Sequence, residues 1–246
     1  MTLLRDHDLA RAFDHASHTY GHLTALDPGH RAGLLGSARR LALPDDGAGL
    51  HPLDLGCGTG ASTRALLRAA PRARSTAVDA SAGMLRRARA EPWPARVRFL
   101  HRTAEEFATA REDEGPFDAV FAAHLFRNVT APDAVLGSVR GLLRPGGRSA
   151  AHECSLSGSP VHRALWSAVC RGLVIPAGTL TGDRTLYRRL RHSVVAFDTA
   201  LRFAARLTRV GLTSVRVAPA AGRQTGMVHT FLARNGGPET TEERVL

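Results

Sequence analysis

The chain has 246 residues, 43% of them hydrophobic, enough to bury the core of one α/β domain and too few for two comfortable ones. Its formal charge is +11 and every one of the 33 basic residues is arginine. These are dispersed along the chain with only 5% aromatics, the pattern of solvated helical faces in a protein from a GC-rich genome rather than of a nucleic-acid binder. Cys57, Cys154 and Cys170 have no metal-ligand spacing and leave an odd thiol, the N-terminus lacks the apolar core of a signal peptide, and no run reaches the ~20 apolar residues of a membrane span. A soluble, cytoplasmic protein is expected, without disulfides, metal or stable membrane insertion.

Residues 1–50 are expected to form an N-terminal helical cap whose first helix carries His15, His18 and His22. The first strand is Pro52-Leu53-Asp54-Leu55, apolar on both faces as a central parallel strand is, and it runs through Gly56, Gly58 and Gly60 into a helix over 61–70. Strands follow at 75–79 and 97–101, with a helix over 82–89 between them, then a strand at 117–123 and a helix over 133–143. Arg144-Pro145-Gly146-Gly147 stops that helix, because proline cannot continue it and glycine takes the left-handed exit. A fifth strand at 149–154 precedes two helical stretches, 161–174 and 186–207, and strands at 214–218 and 227–233 close the chain. This alternation predicts a doubly wound, Rossmann-like α/β fold, a mostly parallel seven-stranded sheet in a single domain spanning 1–246. A helical insertion at 156–210 between strands 5 and 6 is placed to act as a substrate lid over the strands' carboxyl ends.

The dinucleotide fingerprint spaces its glycines G-x-G-x-x-G, whereas this chain has Gly56-x-Gly58-x-Gly60, with Asp54 before the turn and Asp79 ending the second strand. The arrangement suits a nucleoside ligand without phosphate: Asp79 accepts hydrogen bonds from two ribose hydroxyls, while Asp54 orients an ammonium or the loop's own amides. Those are the demands of S-adenosylmethionine.

The order of motifs resembles the class I S-adenosylmethionine-dependent methyltransferases, and in detail the UbiE-type ubiquinone/menaquinone C-methyltransferases. The resemblance rests on residues 53–60, on Val78-Asp79-Ala80-Ser81-x-x-Met84-Leu85, on Phe126-Arg127-Asn128-Val129, on Leu143-Arg144-Pro145-Gly146-Gly147, and on Tyr187-x-x-Leu190-x-x-Ser193-Val194. It implies a cofactor site of Asp54, the three glycines, Asp79, Ala80, Met84, Thr103, Ala104, Glu105 and Ala123, with Met84 against adenine. The family's Gly-Asp-Ala-Glu appears here as Arg102-Thr103-Ala104-Glu105, so a hydroxyl stands where a carboxylate meets the adenine amino group. Its N-terminal Tyr-Asp pair appears as Tyr20-Gly21, which leaves specialised metabolism open beside quinone biosynthesis.

The resemblance further implies that Arg127 stabilises an acceptor phenolate, that Asn128 orients it and that Tyr20 assists. The competing reading pairs Arg127 with an acid and has Asn128 cap a helix. Of the histidines, His124 at the end of the fourth strand is better placed than His229 in the last one. His152-Glu153 sends one side chain to each sheet face. Trp166, Tyr187, Phe197 and His229 are candidates for the acceptor site. The expected partner is a small, hydrophobic quinol, phenolic or isoprenoid-type acceptor methylated at carbon, with no nucleic acid and with a homodimer left open. The alternatives are O- or N-methylation of a natural product, or a cyclase or binding protein of the same fold.

Overall fold

The computed structural model describes residues 14, 28–109, 115–156, 158, 160–180, 184–220 and 225–236. In chain order the elements are α1 (Pro28–Arg39), β1 (Pro52–Leu55), α2 (Ala61–Ala69), β2 (Ser75–Asp79), α3 (Ala82–Ala90), β3 (Val97–His101), α4 (Ala104–Thr109), β4 (Phe117–Ala123) and α5 (Pro132–Leu142). They continue with β5 (Leu143–Cys154), α6 (Pro160–Val169), a π-helical turn (Cys170–Val174), α7 (Ile175–Leu180), α8 (Arg184–Ala196), α9 (Ala200–Arg209), β6 (Leu212–Pro219) and β7 (Val228–Asn235).

Seven strands form one sheet in the order β3-β2-β1-β4-β5-β7-β6. β1 through β5 pair in parallel, and β7 runs antiparallel to both β5 and β6. The fold is therefore the Rossmann-like, mostly parallel α/β sheet expected. β1 is buried along its whole length, because helices cover both faces of the central strands. Residues alternate between those faces along β4. Val120 and Ala122 pack with Val135, Leu136 and Val139 of α5 and with Phe203 and Leu207 of α9. Ala119 and Phe121 pack with Leu34 and Ala38 of α1, with Leu41 just past its end, and with Leu66 of α2.

The strand order reverses between β1 and β4, where the chain leaves β1 toward β2 on one side and returns at β4 on the other. Open α/β sheets bind ligands in the crevice at the carboxyl ends of such a pair. The residues placed there come from the ends of β1, β2 and β4, the loops after β1 to β4, the first turns of α2, α3 and α4, and α1 above them.

Three local features differ from expectation. β5 starts at Leu143 rather than at 149: Leu143 pairs with Phe117 and Arg148 with Ala119, so the Arg-Pro-Gly-Gly segment bulges out of the strand instead of preceding it. The helical stretch expected over 186–207 is broken, since Thr199 is extended and its hydroxyl accepts from Arg202 N, starting α9 afresh. The stretch at 161–174 is α-helical only to Val169 and finishes in the π turn. Among the described residues no helix is long and apolar enough to cross a membrane, and no group of three His, Cys, Asp or Glu side chains is set to hold a metal ion.

Candidate functional site

The turn after β1 exists because its backbone takes conformations that L side chains resist. Gly56, Gly58 and Gly60 have φ of 78°, 54° and 90°. A Cβ on Gly60 would lie 2.6 Å from the Trp93 ring, whereas one on Gly58 would meet nothing within 4 Å. The loop is crowded behind and open in front. Trp93 is itself fixed, its indole N–H donating to Ala88 O at 2.6 Å and its face covered by the Arg64 guanidinium at 4.4 Å.

Asp54 lies under this loop and is fully buried. Its Oδ2 accepts from Ser62 Oγ (2.8 Å) and Thr63 Oγ1 (2.6 Å), which ties the end of β1 to the first turn of α2. Oδ1 is buried without a hydrogen-bond partner among the described residues. Burial pushes the carboxyl up to about 7, against the pull of the two hydroxyls.

Asp79 ends β2 facing the cleft. Its Oδ2 accepts from Gly58 N at 2.7 Å and its Oδ1 from Ser81 N at 2.8 Å. An ionised carboxylate has about four acceptor sites, so two remain for a pair of vicinal hydroxyls. Burial holds this carboxyl above its ordinary value, and hydroxyl donors from a ligand would favour its charged form. Ser81 caps α3, accepting from Met84 N, and Asp14 of the N-terminal segment accepts from Ser81 Oγ and Gly83 N.

The cleft brings together most of the residues expected of the cofactor site. Gly56, Gly58, Asp79, Ala80 and Met84 line one side, and Thr103, Ala104, Glu105 and Ala123 continue the wall. Thr103 is the N-cap of α4: its hydroxyl accepts from Glu106 N while Glu106 accepts from Thr103 N, a reciprocal capping box. Its hydroxyl oxygen serves the helix, leaving only its O–H as a donor toward the cleft. Asp54 and Gly60 do not line the cleft: Asp54 is fully buried beneath the turn and Gly60 packs against Trp93. The residues present thus fit S-adenosylmethionine at two points: a carboxylate with two acceptor sites for a ribose, and an open glycine front for close backbone approach.

Past β4, His124 and Asn128 line the cleft opposite the glycine turn. His124 has φ of 58°, a left-handed conformation uncommon for a side chain of this size. It is held there by His124 N donating to His152 O and by Asn128 Nδ2 donating to His124 O, both at 2.8 Å. Asn128 therefore steadies the loop as well as bordering the cleft. Arg127 does not line the cleft. Its guanidinium, 4% exposed, bonds Glu153 Oε2 at 3.1 Å, and Glu153 Oε1 accepts from Phe126 N at 2.6 Å. The acid-pairing reading of Arg127 is what the geometry contains. His152 and Glu153 do point to opposite faces: His152 Nδ1 meets Ser37 Oγ of α1 at 2.7 Å, while Glu153 meets the loop after β4.

The remaining candidates lie elsewhere. Phe197 packs at 5.2 Å on Phe203 at the edge of the core, because the chain turns inward there to start α9. His229 is on β7 beside Phe231, and Trp166 is on α6 with its indole N–H buried and without a partner among the described residues; none of the three lines the cleft. Tyr187 belongs to α8, with its side chain outside the described residues, and Tyr20 lies outside them altogether. Sequence reasoning missed His30 and Leu34 of α1, which close the cleft from above, since nothing in α1 repeats a recognisable motif. It also missed α4, although Thr-x-x-Glu was there to mark its start.

The family pattern described as "Methyltransferase domain" matches residues 53–147. The chain is 34% identical over 184 residues to the ubiquinone/menaquinone biosynthesis C-methyltransferase UbiE of Syntrophotalea carbinolica, covering 74% of this chain and 75% of that one. It is also 34% identical over 110 residues to the ubiquinone biosynthesis O-methyltransferase of Xanthomonas campestris pv. campestris, over 45% of this chain and 44% of the relative. The fold superimposes on human N-acetylserotonin methyltransferase in complex with S-adenosylmethionine with a TM-score of 0.61 and 14% identity, over 91% of this chain and 56% of that one. With the cleft built as described, the chain belongs to the class I S-adenosylmethionine-dependent methyltransferases, resembling the UbiE type, and S-adenosylmethionine is its cofactor.

Proposed function

We propose that this methyltransferase acts at carbon on a small, hydrophobic quinol, phenolic or isoprenoid-type acceptor in quinone or specialised-metabolite biosynthesis. The observation that carries the reading is the cleft wall built from α1 and the loop after β4. Leu34, Leu125 and Val129 make it apolar, and Asn128 and His124 are its polar groups. An apolar pocket with a few convergent polar groups selects a flat, greasy molecule with one or two hydroxyls. The UbiE relative, named for a C-methyltransferase of ubiquinone and menaquinone biosynthesis, supports the same class.

When bound, S-adenosylmethionine supplies a methyl group already activated by a sulfonium charge. The protein's task is alignment and exclusion of water, and holding two reactants in near-attack geometry supplies ~7–11 kcal/mol of a barrier. Asn128 and His124 orient the acceptor hydroxyl, and Trp166 and Tyr187 of the lid, with Tyr20, are proposed to close over it. A second reading, O-methylation, draws on the engagement of Arg127 with Glu153, which withdraws from the acceptor the cation that the carbon-methylation reading assigned to its phenolate. Labelled S-adenosylmethionine and a panel of hydroquinones, phenols and prenyl diphosphates, with mass spectrometry of the products, tests both. A carbon-methylated quinol or phenol is expected. Methylation confined to oxygen, or to acceptors without a ring hydroxyl or prenyl chain, would overturn it.

A further inference from the structure

Two buried donors on α6 and α8 have no hydrogen-bond acceptor among the described residues, the indole N–H of Trp166 and the Nε–H of Arg191. Trp166 and Ser167 of α6, with Cys170 just after it, are turned away from that helix's exposed stripe of Val161, Leu165 and Val169. On α8, Arg191 lies one turn before Val194, which is 1% exposed, and donates from Nη2 to Ser167 Oγ at 3.3 Å. Buried polar groups in folded proteins are overwhelmingly paired, so two orphaned donors on neighbouring helices call for an explanation.

The charge of Arg191 is equally unmatched. Among the described residues no carboxylate pairs with it. The acids of the 156–210 stretch are Asp183, outside the described residues, and Asp198, which Arg206 holds. Cys170 supplies no negative charge either, because burial pushes its thiol up to about 11 against the pull of Arg191. A half-buried cation without a counter-ion is costly unless something that binds there completes it. Two contacts set this spot beside the cleft. Ser155 Oγ, just past β5, donates to Asp198 O, just past α8, at 2.8 Å. Cys154 Sγ, at the end of β5, lies 3.9 Å from Nδ1 of the cleft residue His124.

We propose that the acceptor carries a carboxylate beside its ring hydroxyl, and that Arg191 and the Trp166 indole N–H bind that carboxylate between α6 and α8. The proposal deepens the hydroxylated-acceptor reading above and rests on it. A guanidinium presents Nε–H and one Nη–H along a single edge, the fork that takes a planar carboxylate through two parallel bonds. Here the Nε tine is the bare one. The indole N–H, a donor only, serves one of the carboxylate's remaining lone pairs. One guanidinium matches one negative charge, whereas a diphosphate brings at least two, and Arg163, Arg171 and Arg188 of the same stretch are exposed to solvent. With the carboxylate held there, the hydroxylated ring reaches toward His124 and Asn128 past the end of β5.

Calorimetry with 6-hydroxy-2-naphthoate and with its neutral methyl ester, in protein saturated with S-adenosylhomocysteine, isolates the carboxylate. The wild type should bind the acid ~10–100-fold more tightly than the ester, the scale of a charge-assisted hydrogen bond. Arg191→Gln should erase that preference while ester and S-adenosylhomocysteine affinities stay within about twofold. Trp166→Phe, which keeps an aromatic ring without the N–H, should cut the preference by ~3–10-fold. Equal affinity for acid and ester in the wild type, no binding of the acid, or a preference that survives Arg191→Gln overturns the assignment. Should Arg191→Gln lose the ester as well, Trp166→Phe decides: an acid-specific loss upholds the site and an equal loss overturns it. Geranyl diphosphate bound through Arg191 in place of the acid also overturns the carboxylate. An Arg191-dependent acid preference without methylation of any hydroxylated acceptor upholds the site and removes the acceptor reading above. Methylation of neutral quinols at a kcat/KM that Arg191→Gln leaves unchanged does the reverse.

Discussion

Asp79→Ala is the substitution whose effects can be worked most fully from the geometry. The carboxylate takes Gly58 N–H and Ser81 N–H at 2.7 and 2.8 Å and has two acceptor sites over. Cleft water replaces the lost acceptor in part, so the two amides should cost ~1 kcal/mol each. At ~2–4 °C per kcal/mol for a chain of this length, Tm should fall by ~4–8 °C. The cofactor loses two ribose hydrogen bonds to a charged acceptor at ~1.5–3 kcal/mol apiece. The sum of ~3–6 kcal/mol predicts ~10²–10⁴-fold weaker binding. Calorimetry with S-adenosylhomocysteine reads the affinity, and a thermal melt of the same samples reads the stability. Asp79→Asn should show a milder version, since one amide oxygen still accepts while the NH2 faces a backbone N–H. Affinity within about threefold of wild type for Asp79→Ala would refute the assignment of this carboxylate to the ribose.

Gly58→Ala meets no protein atom within 4 Å but sits at φ 54°, so stability should drop by only the ~1–2 kcal/mol of left-handed strain while S-adenosylhomocysteine affinity falls by more than tenfold; unchanged calorimetric affinity would mean the glycine front is not a ligand surface. Arg127→Ala strands Glu153 in the interior and should destabilise by ~3–5 kcal/mol in urea unfolding, whereas Glu153→Gln should cost clearly less; equal losses would contradict the buried-pair account. His152 is pushed by burial from 6.5 to about 3, so the unfolded chain takes up its proton first as pH falls. Its contribution is complete above 6.5 and declines below it at up to ~1.4 kcal/mol per pH unit. Urea midpoints between pH 7 and 5 should therefore fall more steeply for the wild type than for His152→Gln, and parallel slopes would count against the reasoning.

The cofactor half of the cleft was legible in the sequence because it is built from contiguous segments. Strand, glycine turn and helix at 52–69, and strand plus acid at 75–79, carry their own local signals. The acceptor half was legible only in pieces. Arg127 and Asn128 could be found, but the partner that turns the arginine inward is 26 residues away on β5, and only the pairing of β4 with β5 brings them together. His30 reaches the cleft because Leu34, Ala38 and Leu41 seat α1 against Phe121 and Ala150, a tertiary fact with no local pattern. The Pro-Gly-Gly stop after α5 was correct as chemistry and misplaced as a boundary, since the strand pairing of Leu143 begins before it and resumes after it. The broken stretch around Thr199 shows the same limit, because helical periodicity continued across a residue whose hydroxyl serves better as a cap.

The tryptophan wedged behind Gly60 makes the two walls of the cleft mechanically unequal. Trp93 is pinned by Ala88 and Arg64, so the glycine turn has no room to retreat when a ligand presses on it. Any accommodation of a larger or differently shaped molecule falls to the rest of the lining, to His30 and Leu34 on α1 and Val129 after β4. A search for altered acceptor range is best aimed at those three positions, leaving the turn as a fixed datum against which the methyl group is registered.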